Sequence, residues 1–122
     1  MQYTTYMEIS GAIQGLLSKN CSGNDAHKDK IQLHSLELSK GIDGLNEIEK
    51  IIFEKNVDGA SPLLLNAIDK NEYLELTVFQ CVDDKITHEF KLDNALIEKI
   101  NTIFSEENKK SPYEKIQVKL NV

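Results

Sequence analysis

Histidine is both a common metal ligand and a common acid–base residue, and the chain contains three: His27, His34 and His88. No two of them stand in an HxH or HxxxH spacing, which would place two imidazoles on one metal ion. We therefore expect each histidine to be an ordinary polar residue of a loop or strand. The sequence predicts no metal site.

Asp83 and Asp84 form an adjacent carboxylate pair between two apolar runs. Adjacent residues at a hairpin tip point apart, so this pair indicates a tight turn and not shared acid–base chemistry. The chain also lacks a nucleophile elbow, a phosphate-binding loop and a Cys-His signature. We therefore expect no enzymatic activity, no catalytic residue and no cofactor.

The only cysteines, Cys21 and Cys81, do not form a CxxC pair. The expectation is two unrelated reduced thiols in a protein that folds in the cytosol, although the spacing does not exclude a disulfide.

The composition is that of one folded domain spanning residues 1–122, with 40% hydrophobic and 28% charged residues. The chain has 14 basic and 20 acidic residues, so its net charge is −6. This charge argues against a nucleic-acid-binding protein. No apolar run approaches the roughly 18 residues that a membrane helix needs. No secretory signal is readable at the beginning of the chain, so membrane insertion and signal-peptide export are not expected.

Short alternating apolar stretches, separated by turn residues every eight to twelve positions or so, are typical of a β-sandwich or β-barrel. The predicted strands are 3–10, 31–39, 48–57, 73–82, 85–92 and 114–120. Residues 95–104 fit either a helix or a further strand. The predicted fold is mainly β: a small barrel or sandwich of two packed antiparallel sheets with one short α-helix.

Two local patterns refine this prediction. Apolar residues change phase within the second strand, which predicts either a bulge or bend near His34 and Ser35 or a strand that is covered on both faces. After the third strand, Ser61 is predicted to cap a short helix and Pro62 to occupy its first position, because proline lacks an amide hydrogen. That helix is expected to end near Lys70.

The ordered set of elements resembles a known family, the haemolysin-coregulated proteins, which are inner-tube subunits of bacterial type VI secretion systems and resemble phage tail-tube proteins. The most specific match is residues 53–64 (FEKNVDGASPLL), where the family has a strand, an aspartate and then Ser-Pro opening its helix. Asp58, Ser61 and Pro62 carry this motif. Four other stretches are similar: 6–15 (YMEISGAIQG), 27–38 (HKDKIQLHSLEL), 90–97 (FKLDNALI) and 112–118 (PYEKIQV). The resemblance favours a strand at 95–97.

The resemblance implies homo-hexameric rings that stack into a tube, assemble in the cytoplasm and leave the cell without a signal peptide. Sheath and spike components and effector cargo are the implied partners, with no nucleic acid and no membrane insertion. Two loops are the expected ring-to-ring contacts, and their candidate residues are Gly41, Asp43, Gly44, Glu106, Glu107, Lys109 and Lys110.

One departure from the family leaves an alternative open. The family usually has a long loop between its second and third strands, whereas this chain offers only about residues 41–47. The alternative is a non-assembling relative: a small β-barrel binding module or secreted virulence factor without enzymatic activity.

Overall fold

A computed structural model describes residues 2–22, 25–40, 48–104 and 112–120. It contains one α-helix, α1 (Ser61–Asp69), and a short 3-10 turn (Asp25–His27). The strands are β1 (Tyr3–Gly11), β2 (Gly15–Leu16), β3 (Ile31–Lys40), β4 (Ile48–Asn56), β5 (Leu74–Val82), β6 (Lys85–Ile103) and β7 (Tyr113–Lys119). The mainly β prediction with one short helix is confirmed.

All described strand pairs are antiparallel, and they form one sheet in the order β2-β1-β3-β4-β7-β6-β5. A further pairing of β1 with β5 closes six of these strands into a barrel. β6 is 19 residues long; its first half pairs with β5 and its second half with β7. The two sides of the barrel are therefore joined through one bent strand, and a sheet that closes in this way hides most of its edges.

The core fills the barrel with the inward side chains of alternating positions, as the period-two patterns predict. Residues that are almost wholly buried come from β1, β4, β5 and β7: Met7, Ile9, Ile51, Phe53, Leu76, Val78, Ile116 and Val118. α1 packs Leu64 and Ala67 against the same cluster. At roughly 25 cal/mol for each Å² of apolar surface, this burial is the main term that favours folding.

The phase change in β3 is confirmed. The register with β4 shifts between Leu33 and Ser35, so one extra residue bulges out at this point. Ile31 and Leu33 are buried before the bulge, and Leu36 is half-buried after it. Leu38 lies opposite the buried Ile51 but stays exposed, because no described strand pairs with the other side of β3 at this point.

The stretch 95–104 is a strand for residues 95–103, since it forms the second half of β6. Pairing with β7 over Leu96–Ile103 decides against the helix that the apolar spacing also allowed. Asn94, with φ of 55°, lies at the bend where the register against β5 shifts. Tertiary pairing here overrides a weak local preference.

The Asp83-Asp84 turn is also confirmed. Both residues have positive φ, 50° and 69°, which is the geometry of a two-residue type I′ hairpin turn between β5 and β6. Asp83 also accepts a hydrogen bond at Oδ1 from the backbone N–H of Gln2, at 2.9 Å. These carboxylates therefore serve turn geometry, as predicted.

A buried carboxylate just after α1 fastens the turn between β1 and β2. Glu72 Oε2 accepts hydrogen bonds from the backbone N–H groups of Ile13 and Gln14, at 2.7 and 2.6 Å. Its Oε1 accepts from Gln14 Nε2 at 2.7 Å, and the same amide donates to the Leu63 carbonyl. Burial raises the pKa of the Glu72 carboxyl, but the hydrogen bonds from Gln14 and Ile13 outweigh it and lower that pKa below its ordinary value.

Gly11→Ala should destabilise the protein because Glu72 leaves no room for a side chain at this position. A Cβ on Gly11 would lie 2.1 Å from Glu72 Oε2 and 2.8 Å from its carboxyl carbon. We expect a loss of about 1–3 kcal/mol in the free energy of unfolding, measured by urea denaturation. Gly59→Ala is the matched control, since its Cβ would meet nothing within 4 Å. Equal stability of the two variants would contradict the prediction.

The same carboxylate should make stability depend on pH. Because the pKa of Glu72 is lowered in the folded state, its contribution is present above the pKa of the unfolded state. It is lost as the pH falls through the lower folded-state pKa. Urea midpoints measured from neutral to acidic pH should therefore converge for the wild type and Glu72→Gln at the acidic end. A constant difference between the two proteins would be the contrary result.

Candidate functional site

Four polar side chains from β4, the α1 entry and β7 meet inside the protein. Lys55 is fully buried, and its Nζ lies 2.7 Å from Asp58 Oδ1 and 2.8 Å from Glu114 Oε1. The same ammonium donates to Ser61 Oγ at 3.3 Å and to the backbone carbonyl of Asn56 at 3.0 Å. One cation therefore binds two carboxylates, a hydroxyl and a carbonyl.

Ser61 has a different role from the one predicted. The residue at the N-cap position of α1 is Ala60, and no side chain caps the helix from there. Ser61 Oγ instead donates to Glu114 Oε1 at 2.6 Å and accepts from the Asp58 backbone N–H at 3.0 Å. Asp58 Oδ1 accepts from the Ala60 N–H at 2.9 Å. The predicted Ser61 cap is therefore wrong, because a buried carboxylate takes the hydroxyl. Pro62 is the second residue of α1, one position later than predicted.

Lysine beside serine is an arrangement that some hydrolases use to activate a nucleophile. In this cluster the Lys55 ammonium is engaged by two carboxylates, and the Ser61 hydroxyl points at Glu114. Lys55, Ser61 and Glu114 are all buried. These buried contacts link β4 and β7 to the start of α1. They leave the Ser61 hydroxyl inaccessible to a substrate.

The sequence motif identifies Asp58, Ser61 and Pro62 but not their partners Lys55 and Glu114. The alternation of buried residues on β4 could have identified Lys55, because Lys55 shares the inward phase of Ile51 and Phe53. Glu114 likewise shares the inward phase of the buried residues of β7. A charged residue in an inward phase requires a partner of opposite charge, and these two residues face each other across the β4–β7 ladder.

A second cluster lies on the outer face of β1 and β5. The His27 ring stacks on Tyr6 with centroids 4.5 Å apart, and Lys30 Nζ lies 4.2 Å above the Phe79 ring. His27 Nε2 lies 3.2 Å from the carbonyl of Asp84, and Nδ1 lies 3.1 Å from Lys30 Nζ. A carbonyl only accepts and an ammonium only donates, so Nε2 carries the proton and Nδ1 accepts. His27 thus holds the 3-10 turn against the barrel.

The remaining candidate residues have structural partners or lie outside the described residues. His34 contacts Asn56, and His88 contacts Thr87. Within residues 2–22, 25–40, 48–104 and 112–120, no group of three or more His, Cys, Asp or Glu residues could hold a metal ion. The predicted ring-contact residues Gly41, Asp43, Gly44, Glu106, Glu107, Lys109 and Lys110 lie outside the described residues.

Both cysteines are free thiols, as expected. Cys81 is buried beside Tyr6 and Phe79, and Cys21 is half-buried. Burial is the main cause that raises the pKa of each thiol above its ordinary value. A raised pKa reduces the thiolate population, so neither cysteine has the environment of a catalytic nucleophile.

The barrel leaves two strand edges without a partner among the described strands. The first half of β6, residues 85–93, pairs with β5 on one side only, because β7 first meets β6 at Leu96. The part of β3 that follows its bulge pairs only with β4, because β1 meets β3 only at residues 31–33. Unpaired backbone groups along an edge are a template for another strand.

Exposed apolar side chains accompany both edges. On β6, Ile86 is 44% and Phe90 36% exposed, and on β3 Leu38 is 41% exposed. Phe90 lies opposite the core residue Val78 in the register, so it continues the apolar inner face beyond the end of the core. Apolar residues beside unpaired backbone are the features of an interaction surface. We call residues 85–93 the β6 edge and residues 34–40 the β3 edge.

Removing one charged member of the buried cluster around Lys55 should strongly lower the free energy of unfolding. Lys55→Met leaves two carboxylates without their cation, and we expect a loss of about 3–5 kcal/mol in the free energy of unfolding. Ser61→Ala should cost less, about 1–3 kcal/mol, since the ion pairs remain. Urea denaturation of both variants and of Lys91→Met tests the order. Lys91 is the control because its ion pair with Glu75 is exposed; a loss for Lys55→Met no larger than for the control would refute the assignment.

Comparisons with known proteins agree with this architecture. The Type VI secretion system effector, Hcp family matches residues 6–120. No curated protein matches the sequence. The secreted protein Hcp3 from Pseudomonas aeruginosa superposes with a TM-score of 0.79 at 20% identity, covering 98% of this chain and 86% of Hcp3.

Two further structures share the fold. Hcp1 from Salmonella typhimurium has a TM-score of 0.74 at 14% identity, covering 98% of this chain and 83% of that one. A chain of the anti-feeding prophage baseplate, determined with six-fold symmetry, has a TM-score of 0.58 at 11% identity, covering all of this chain and 91% of its own. The family match spans nearly the whole barrel. The chain therefore belongs to the Hcp family of type VI secretion system proteins.

Proposed function

We propose that the chain is a tube subunit of a type VI secretion system, which associates with further copies of itself into hexameric rings that stack into the inner tube. The observation that carries this proposal is the pair of unpartnered edges in an otherwise closed barrel. Family membership and the likeness to a chain of a six-fold symmetric baseplate support it.

The β6 edge and the β3 edge are different surfaces of one subunit, so each can pair with the other edge of a neighbouring copy. Pairing the β6 edge of one subunit with the β3 edge of the next is a heterologous contact, which closes into a ring when the rotation between subunits divides the circle. Each junction would give backbone hydrogen bonds to both edges and cover Phe90 and Leu38. A function of this kind needs no catalytic group.

The rings assemble in the cytoplasm, carry effector cargo, work with sheath and spike components and leave the cell without a signal peptide. The α-helix α1 is nine residues long, and no described helix has the length and apolar character needed to cross a membrane. We propose that the segments 41–47 and 105–111 form the contacts between stacked rings. Reversal of the charges at Glu106, Glu107, Lys109 and Lys110 should then separate the rings without dissolving them.

Charged residues placed on the two edges should prevent ring formation. Light scattering on a gel-filtration column, with negative-stain images of the same peak, should give six subunits and rings for the wild type. Phe90→Glu and Leu38→Glu should each shift the peak towards the monomer, because a buried unpaired carboxylate weakens a contact by about 2 kcal/mol or more, roughly 30-fold.

Leu65→Glu on α1 is the matched control, since Leu65 is an exposed apolar residue that belongs to neither edge strand. It should still form rings. A wild type that remains a monomer at high concentration would contradict the proposal and favour a non-assembling relative. Rings that survive both edge substitutions would contradict the edge assignment alone.

A further inference from the structure

Four lysines share the outward face of the sheet formed by β3, β4, β7 and the second half of β6. They alternate along their strands with buried residues such as Ile51, Ile116 and Val118, so they point away from the core. Two lie on β7 and one on each neighbouring strand. We call this set the lysine patch, and its members are Lys50, Lys99, Lys115 and Lys119.

The register brings these lysines together. Lys119 lies directly opposite Lys50 on β4. On the other side of β7, Lys99 lies opposite Gln117, the residue midway between Lys115 and Lys119. Directly opposite side chains on one sheet face have Cβ atoms about 5 Å apart, and diagonal neighbours lie about 7–8 Å apart. Like charges at the directly opposite spacing destabilise a sheet, so folding does not explain the Lys50–Lys119 pair.

Acidic residues of the same face compensate the patch only in part. Lys50 has an ion pair with Glu98 at 3.8 Å, but both side chains are more than a third exposed, so the pair is weak. Glu54 lies directly opposite Lys115 in the β4–β7 register and compensates it in part, but no ion pair formed by the described residues engages Lys99, Lys115 or Lys119. The lysine patch is thus a local cluster of positive charge on a protein whose net charge is −6.

We infer that the lysine patch is a docking surface for an acidic segment of a partner protein. Separate carboxylates on a peptide can meet the lysines while avoiding Glu54 and Glu98, the acids beside them. A nucleic-acid backbone carries a continuous run of phosphates, which those acids would oppose. The inference goes beyond the tube proposal and does not require ring formation.

The patch would also stay accessible in the proposed ring. Strands that pair through their edges extend a sheet sideways, in the plane of its hydrogen bonds, and leave both faces of that sheet uncovered. The lysine patch lies on a face, whereas the β6 and β3 edges lie at the rim. Assembly and docking would therefore use different surfaces, and variants of one should leave the other intact.

Binding of a fluorescein-labelled ten-residue glutamate peptide, followed by anisotropy at low and physiological salt, tests the inference. The wild type should bind, more weakly as salt increases. Lys99→Glu combined with Lys115→Glu should weaken binding at least about tenfold. Lys19→Glu combined with Lys28→Glu is the matched control: it changes the net charge equally, at exposed lysines outside the patch. It should bind within about twofold of the wild type.

The variant Lys119→Glu distinguishes a role of the lysine patch in peptide binding from a role in the stability of the fold. Lys119→Glu replaces a like-charge pair with an opposite-charge pair facing Lys50, so thermal unfolding should occur at the same or a higher temperature. Its peptide binding should nevertheless be weaker.

Three results would overturn the inference: no peptide binding by the wild type, equal losses in the patch and control variants, or equally tight binding of a single-stranded oligonucleotide of the same charge. Wild-type protein that binds the peptide but forms no rings would support docking while contradicting the tube proposal. Rings without peptide binding would do the reverse.

Discussion

Removing the Lys55 ammonium from water is unfavourable unless partners of opposite charge surround it, and this requirement organises one end of the barrel. Asp58 and Glu114 supply the two carboxylates, and Ser61 links them through its hydroxyl. These contacts fix where β4 ends, where α1 begins and how β7 lies against β4. The Asp-Gly-Ala-Ser-Pro stretch therefore has a physical reason to exist that is independent of any ligand.

Closure of the barrel and exposure of its edges have the same origin. β6 is long enough to pair first with β5 and then with β7, and the bend at Asn94 turns it from one side of the barrel to the other. The part of β6 before the bend lies beyond the reach of β7. A single strand thus completes the hydrophobic core and leaves an edge beside Ile86 and Phe90 that pairs with β5 alone among the described strands.

Much of this architecture could be predicted from local patterns. Period-two alternation located the strands, the change of phase located the bulge in β3, and Asp83-Asp84 located a hairpin. Barrel closure could not be predicted this way, because the pairing of β1 with β5 joins residues about 70 positions apart in the sequence. Ser61 was assigned to a local cap because its true partner, Glu114, is 53 residues away. Glu72 was missed for the same reason, since its carboxylate contacts a turn nearly 60 residues earlier.

The β6 edge also has a consequence for the newly made chain. A strand with open backbone groups and apolar side chains can template wrong pairing, so newly made chains face a risk of aggregation. Lys85, Glu89, Lys91 and Asp93 interrupt the apolar residues along this edge with charges of both signs. Such charges oppose edge-to-edge pairing of identical strands but allow pairing with a strand of complementary charge. The sequence of the β6 edge thus contains charges that oppose aggregation of the newly made chain.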